Sequence, residues 1–176
     1  MEYLKIAATP LLLAIVGLAI VRFRKLSWTD DVGFRAPAAG AAVAWTAAFL
    51  ALAVAEELFA SGESARGTWL GKYDTTQIAV RIVAVGLIYP IVEEFFFRGV
   101  FLGAARQKIG TVAAVVVTSV VFGLIHTQYS WPVWIVADGL LFALCRVNTG
   151  SIYLPMLFHV LGNGYGVWER LQPAAA

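Results

Sequence analysis

The sequence predicts an all-α protein, a polytopic helical bundle integral to a membrane, and three observations predict it. Of 176 residues, 60% are hydrophobic and 14% charged, with a mean hydropathy of +0.79, more apolar surface than so small a chain can bury in a water-soluble core. The apolar residues come in long runs. At roughly 20 residues per crossing of a hydrocarbon layer about 30 Å thick, those runs amount to about six transmembrane helices. Most of the charged residues lie at the ends of the runs, so the chain reads as one membrane-embedded domain, 1–176, with its motifs within 77–168. A net charge of +2 with no basic patch argues against a nucleic-acid partner, and the single Cys145 excludes an internal disulfide.

The first two runs, Tyr3 to Val21 and Ala36 to Ala55, are uninterrupted. Lys5 alone precedes the first, and Arg22, Arg24 and Lys25 follow it, an order that fits a retained helix better than a cleaved signal. The connection 22–37 mixes cations with Trp28, Asp30 and Asp31, as an interfacial segment or a solvated loop would. The connection 56–76 is the longest polar stretch and is expected to cover a site on the outer face. Its Glu56-Glu57 pair has Ser61 where an arginine would complement Glu57, so it reads as the wet end of the second helix.

The third run, Gln77 to Ala105, carries Gly99 and Gly103, a spacing that lets another backbone approach. Thr111 to Trp131, Pro132 to Val147 and Ser151 to Trp168 complete the set. If odd-numbered helices run from outside to inside, Arg22, Arg24, Lys25, Arg35, Arg106, Lys108 and Arg146 fall on the cytoplasmic side. Lys5, Arg66, Lys72, Arg81 and Arg170 fall opposite, which places both termini outside the cell (plasma or inner) membrane.

Ionisable residues inside a bilayer cost at least about 2.5 to 3.5 kcal/mol each, so they face a protein interior and usually serve function. Here Glu93, Glu94 and Arg98 lie on the third run, His126 on the fourth, Asp138 on the fifth, and His159 with Asn163 on the sixth; the chain has no other histidine. Helical neighbours four apart stack, whereas adjacent residues diverge by about 100°. Glu94 and Arg98 therefore pair and leave Glu93 on a separate face, while Phe122 stacks over His126 and His159 over Asn163. Glu93 is placed to act as general base toward a water attacking a peptide carbonyl. His126 would orient that water or share its proton, and His159 with Asn163 would donate to the oxyanion. Asp138 is expected to be a paired structural residue. On span depth alone, His126 sits a helical turn or two nearer the outer surface than Glu93 and His159, a mismatch that tilt, a bend at Pro90 or a late start of the fourth helix would remove.

The segments EEFFFR (93–98), FGLIH (122–126) and HVLGN (159–163), in that order, resemble the three motifs of the CAAX protease and bacteriocin-processing family of intramembrane proteases. That resemblance implies an endopeptidase acting near the C-terminal or membrane-proximal region of a membrane-anchored protein or peptide. It implies Glu93 as the water-activating residue, Glu94 and Arg98 as its support, His126 at the water, and His159 with Asn163 at the oxyanion. No cofactor is expected, although Glu93, His126 and His159 could in principle hold zinc. Two other readings use the same residues: a non-catalytic immunity or partner-binding membrane protein, and a small proton-coupled transporter. Matching broken-helix halves, which would favour transport, are not evident.

Overall fold

The computed structural model describes residues 2–59, 68–126 and 133–173, and among these all regular structure is helical. Helix α1 spans Glu2–Arg24 and α2 spans Ala39–Phe59. Helix α3 is a continuous rod over 75–109, interrupted by two wide π-type turns, Ala84–Ile88 and Phe95–Phe101. Helices α4 (Thr111–Leu124), α5 (Val133–Thr149) and α6 (Tyr153–Arg170) follow.

The burial pattern is inverted relative to a water-soluble protein. Leu12 is 61% exposed, Val43 72% and Phe59 77%, whereas Glu94 is fully buried and Arg98 is 2% exposed. Apolar side chains outside and charges inside mark lipid as the surrounding solvent. By length and composition two helices qualify as membrane crossings, Ile6–Arg24 and Ala39–Phe59. The apolar α4 has 14 residues, a rise of about 21 Å against a hydrocarbon layer of about 30 Å. Among the described residues there are six helical rods and two evident crossings, so the expected count of six spans is not established.

Local chemistry sets the boundaries. A reciprocal capping box starts α3: Gln77 N–H donates to Asp74 Oδ1 (2.8 Å) and Asp74 N–H to Gln77 Oε1 (3.1 Å). Gly110, at φ 77°, makes the one-residue corner between α3 and α4. The expected fourth helix, to Trp131, stops at Leu124; the rest of that expectation, and the predicted start of the fifth at Pro132, lie outside the described residues.

Two prolines organise the packing of α3. Pro10 lacks the N–H that would reach the Ile6 carbonyl four residues back, and the Tyr89 hydroxyl of α3 donates to that carbonyl instead. Within the first wide turn, bonds run to the fifth residue back, Tyr89 N–H donating to Ala84 O. The next bond in that register, from residue 90 to Val85 O, cannot form because residue 90 is proline. Asn163 on α6 fills the gap, Nδ2 donating to Val85 O at 2.8 Å.

The connection 22–37 is docked on the core. Ser27 caps a π-type turn at Trp28–Val32, and Gly33 closes it at φ 95°. Val32 is fully buried beside Val100 and Ile152, and Trp28 stacks on Phe95 with centroids 6.0 Å apart. Gly99 permits this approach, since a Cβ there would lie 2.8 Å from Val32 and 3.1 Å from Ile152. Of the connection 56–76, residues 60–67 lie outside the described residues. Glu57 is exposed and accepts from the Tyr165 hydroxyl at 3.3 Å, consistent with a helix end.

Candidate active site

Glu93 and Glu94 sit in α3 between the two wide turns, and both are buried. Glu94 Oε1 accepts two bonds, from Arg98 Nη1 at 2.8 Å and from His159 Nδ1 at 3.0 Å. The Arg98 pairing follows from the four-residue spacing; the His159 bond is a cross-helix contact that the spacing did not reveal. Arg98 uses its other terminal nitrogen, Nη2, on the Gly139 carbonyl of α5 at 3.1 Å, and its guanidinium lies 4.3 Å from the Phe122 ring centroid. One planar fork thereby ties α3 to α5 and leans on α4.

Glu93 has a different environment. Its Oε2 lies 3.7 Å from His126 Nε2 and 3.7 Å from His159 Nε2. Three helices or their ends converge on this carboxylate oxygen. His126 reaches it because α4 ends at Leu124: His126 lies past the helix end, with its N–H donating to Gly123 O at 3.1 Å. Helix α4 starts at Thr111 as expected, so no late start removes the depth mismatch; Glu93 and His126 lie at similar chain distances on either side of the Gly110 corner.

The outer ring nitrogens determine which protons face inward. A carbonyl can only accept, so His126 Nδ1–H donates to Phe122 O at 2.6 Å. Glu94 Oε1 already accepts from the Arg98 guanidinium, and His159 Nδ1–H is assigned as its second donor. In each neutral imidazole Nε2 then carries the lone pair. Glu93 Oε2 and both Nε2 atoms are thus proton acceptors facing one another, an arrangement that a water or a proton satisfies. The His159 ring is flanked by Phe122 and Phe142, each with its centroid 5.6 Å away.

The remaining predicted residues separate. Phe122 and His126 are neighbours as expected, with ring centroids 4.6 Å apart and the planes tilted by 54°. Asn163 commits one amide N–H to Val85 O, so its first role is to repair the backbone at Pro90. Asp138 is half-buried on α5, within electrostatic range of Arg98 and Glu56. The sequence reading missed the Gly139 carbonyl and the Phe142 ring. Gly139 could have been suspected as a small residue beside a buried charge, since a Cβ there would come within 3.1 Å of Ser119; nothing distinguished Phe142. Among the described residues no group of three or more His, Cys, Asp or Glu is disposed to hold a metal ion.

The fold and this interior cluster define a polytopic helical membrane protein with a cluster of buried charges around one glutamate pair. The chain belongs to the type II CAAX prenyl endopeptidase Rce1-like family, whose model matches residues 75–165, just over half its length. It is 29% identical over 96 residues to YdiL of Bacillus subtilis (strain 168), a protein with a provisional membrane-peptidase name; the match covers 54% of this chain and 39% of YdiL. It is 31% identical over 107 residues to the membrane-embedded CAAX protease MroQ of Staphylococcus aureus (strain USA300), covering 56% of this chain and 43% of MroQ. The matches therefore span about two-fifths of these relatives' own lengths. No solved structure gives a significant match.

Proposed function

We propose that this protein is an intramembrane endopeptidase of the cell membrane that hydrolyses a peptide bond near the C-terminal or membrane-proximal end of a membrane-anchored protein or peptide. The observation that carries the reading is the convergence of Glu93 Oε2 with both imidazole Nε2 atoms, 3.7 Å from each. A water among these acceptors donates its protons to them and turns its own lone pair outward, toward a substrate carbonyl.

In the proposed reaction Glu93 takes one proton as the water oxygen bonds to the carbonyl carbon. The carbonyl π electrons move to oxygen as the tetrahedral oxyanion forms. His159 shares the proton; its imidazolium, balanced by Glu94, then presents Nε2–H to the oxyanion. Asn163 has a second amide N–H beyond the one given to Val85, and it would supply another donor. Collapse of the intermediate breaks the C–N bond, and the same proton passes from His159 Nε2 back through Glu93 to the leaving amine. His126, fixed by the Phe122 carbonyl, orients the water. Because backbone carbonyls within a substrate helix are already hydrogen-bonded, the scissile bond lies in an extended stretch or beyond a helix end.

The donor types would suit zinc, but two donors on one tetrahedral zinc stand roughly 3.3 Å apart at ligand distances of about 2.0 to 2.1 Å. Glu93 lies farther than that from each Nε2, at 3.7 Å, which supports the route through glutamate. The test is Glu93→Gln in the full chain, with a membrane-anchored reporter peptide reconstituted alongside. Cleavage should fall to background while helicity and insertion are retained, and cleavage by the parent should survive exhaustive chelation. Parental cleavage rates in Glu93→Gln would overturn the glutamate mechanism; loss on chelation with recovery on added zinc would replace it by a metal one.

A further inference from the structure

We propose a second site: a cavity at the arginine-rich end of the bundle that binds a phosphate group. The cavity encloses about 340 Å3 and is lined by Arg98, Arg106, Arg146, Asp30, Asp31 and Thr111, a volume in the range of small-ligand sites. It lies on the far side of Arg98 from Glu93, and its guanidiniums come from α3, α5 and the opposite end of the Glu94 pair.

The guanidinium pairing in its walls is incomplete. Arg98 is neutralised by Glu94. Arg106 is held through Nε by the Thr111 hydroxyl at 3.3 Å, and Arg146 through Nη2 by the Asp31 backbone carbonyl at 2.8 Å. Neither of these two has an ion pair among the described residues. Arg146 is 7% exposed, and its Nε is buried with no hydrogen-bond partner among the described residues. Two carboxylates share the wall: Asp31, which acts electrostatically on Arg146, accepts at Oδ2 from the Ser27 N–H at 2.8 Å, and Asp30 Oδ2 accepts from the Ser27 hydroxyl at 3.3 Å. Guanidiniums that no carboxylate pairs present planar N–H forks that match phosphate oxygens.

Position selects the ligand chemistry. Arg24 bonds Gln107 at 3.0 Å at the same end, and Arg24 and Gln107 line an adjoining cleft, so the helix ends expected on the cytoplasmic side meet here. That places the cavity at headgroup level, where phosphate is the abundant anion and basic residues gather. The α3 wall is left open at Gly103, where an added Cβ would meet nothing within 4 Å. A phosphate on a lipid headgroup and free phosphate share this chemistry.

The experiment is native mass spectrometry of the full-length protein in detergent micelles, with short-chain phosphatidylglycerol, diacylglycerol and inorganic phosphate as probes. One phosphatidylglycerol per chain should be retained and diacylglycerol should not. Arg106→Gln, which removes a wall donor, and Gly103→Leu, which fills the space without changing charge, should each weaken retention about ten-fold or more. The control pair Arg22→Gln and Lys108→Gln should change it less than about two-fold. Displacement of the lipid by millimolar inorganic phosphate assigns the site to free phosphate, and retention against it assigns the site to the headgroup. Failure to retain either phosphate-bearing probe would overturn the proposal. So would parental retention in a normally helical Gly103→Leu protein, or an equal loss in the control pair.

Discussion

Removing Arg98 tests how the buried charges are balanced. In Arg98→Met, Glu94 stays fully buried with the His159 N–H on Oε1, and its Oε2 has no hydrogen-bond partner among the described residues to begin with. The Gly139 carbonyl loses its donor in the same step. Breaking a buried pair from one side costs about 3 to 5 kcal/mol. A double replacement, Glu94→Gln with Arg98→Met, removes both charges, so it should recover about 1 to 3 kcal/mol relative to the sum of the single effects. Arg98→Lys keeps the charge but not the fork that reaches both Glu94 and Gly139, and it should fall between parent and Arg98→Met. The assay is unfolding in mixed micelles of increasing denaturing-detergent fraction, followed by far-ultraviolet circular dichroism on all five proteins. An Arg98→Met protein within about 1 kcal/mol of the parent, or strictly additive single and double effects, would refute the reasoning.

Other outcomes follow from named contacts. Asn163→Ala strands the Val85 carbonyl and should cost about 1 to 3 kcal/mol in the same unfolding assay. Pro90→Ala restores the missing N–H, so the Asn163→Ala cost should shrink in the Pro90→Ala background. If Asn163 also donates to the oxyanion, cleavage by Asn163→Ala should drop about 100- to 1,000-fold, and Pro90→Ala should not rescue it. Gly139→Leu drives a side chain into Ser119, whose Cα and Cβ lie 3.1 Å from the site of the new Cβ. It should destabilise by about 1 to 3 kcal/mol, and Gly139→Ala by less.

What the sequence made legible was local geometry. Helical spacing alone foretold the Glu94–Arg98 pair, which depends only on the pitch of one helix, and the four-residue spacing also foretold that Phe122 neighbours His126, although His126 lies just past the end of α4. Contacts between helices were less accessible. Glu94 was read as the partner of Arg98 and proves also to hold His159, since rotation of α6 against α3 is set by packing that the motif does not encode. The end of α4 at Leu124 was hidden because Ile125 continues the apolar run and the next proline is Pro132. The connection 22–37 hid its docking for a related reason: its charges suggest solvent, but Val32 and Trp28 are buried or stacked against α3. Pro10 and Pro90 were the signal left unused. Each marks a carbonyl that some other helix must satisfy, and Tyr89 and Asn163 do so.

The central claim is that one carboxylate, Glu93, faces both imidazoles while Glu94 fixes only one of them. With two histidines in the chain, nitrogen-15 NMR of histidine-labelled protein in micelles resolves two rings and reports each tautomer. Both rings should carry the proton on Nδ1, Glu93→Gln should move both Nε2 signals, and Glu94→Gln should move chiefly the Nδ1 signal of His159. Two rings protonated on Nε2, or a Glu93→Gln spectrum with either Nε2 unmoved, would contradict it.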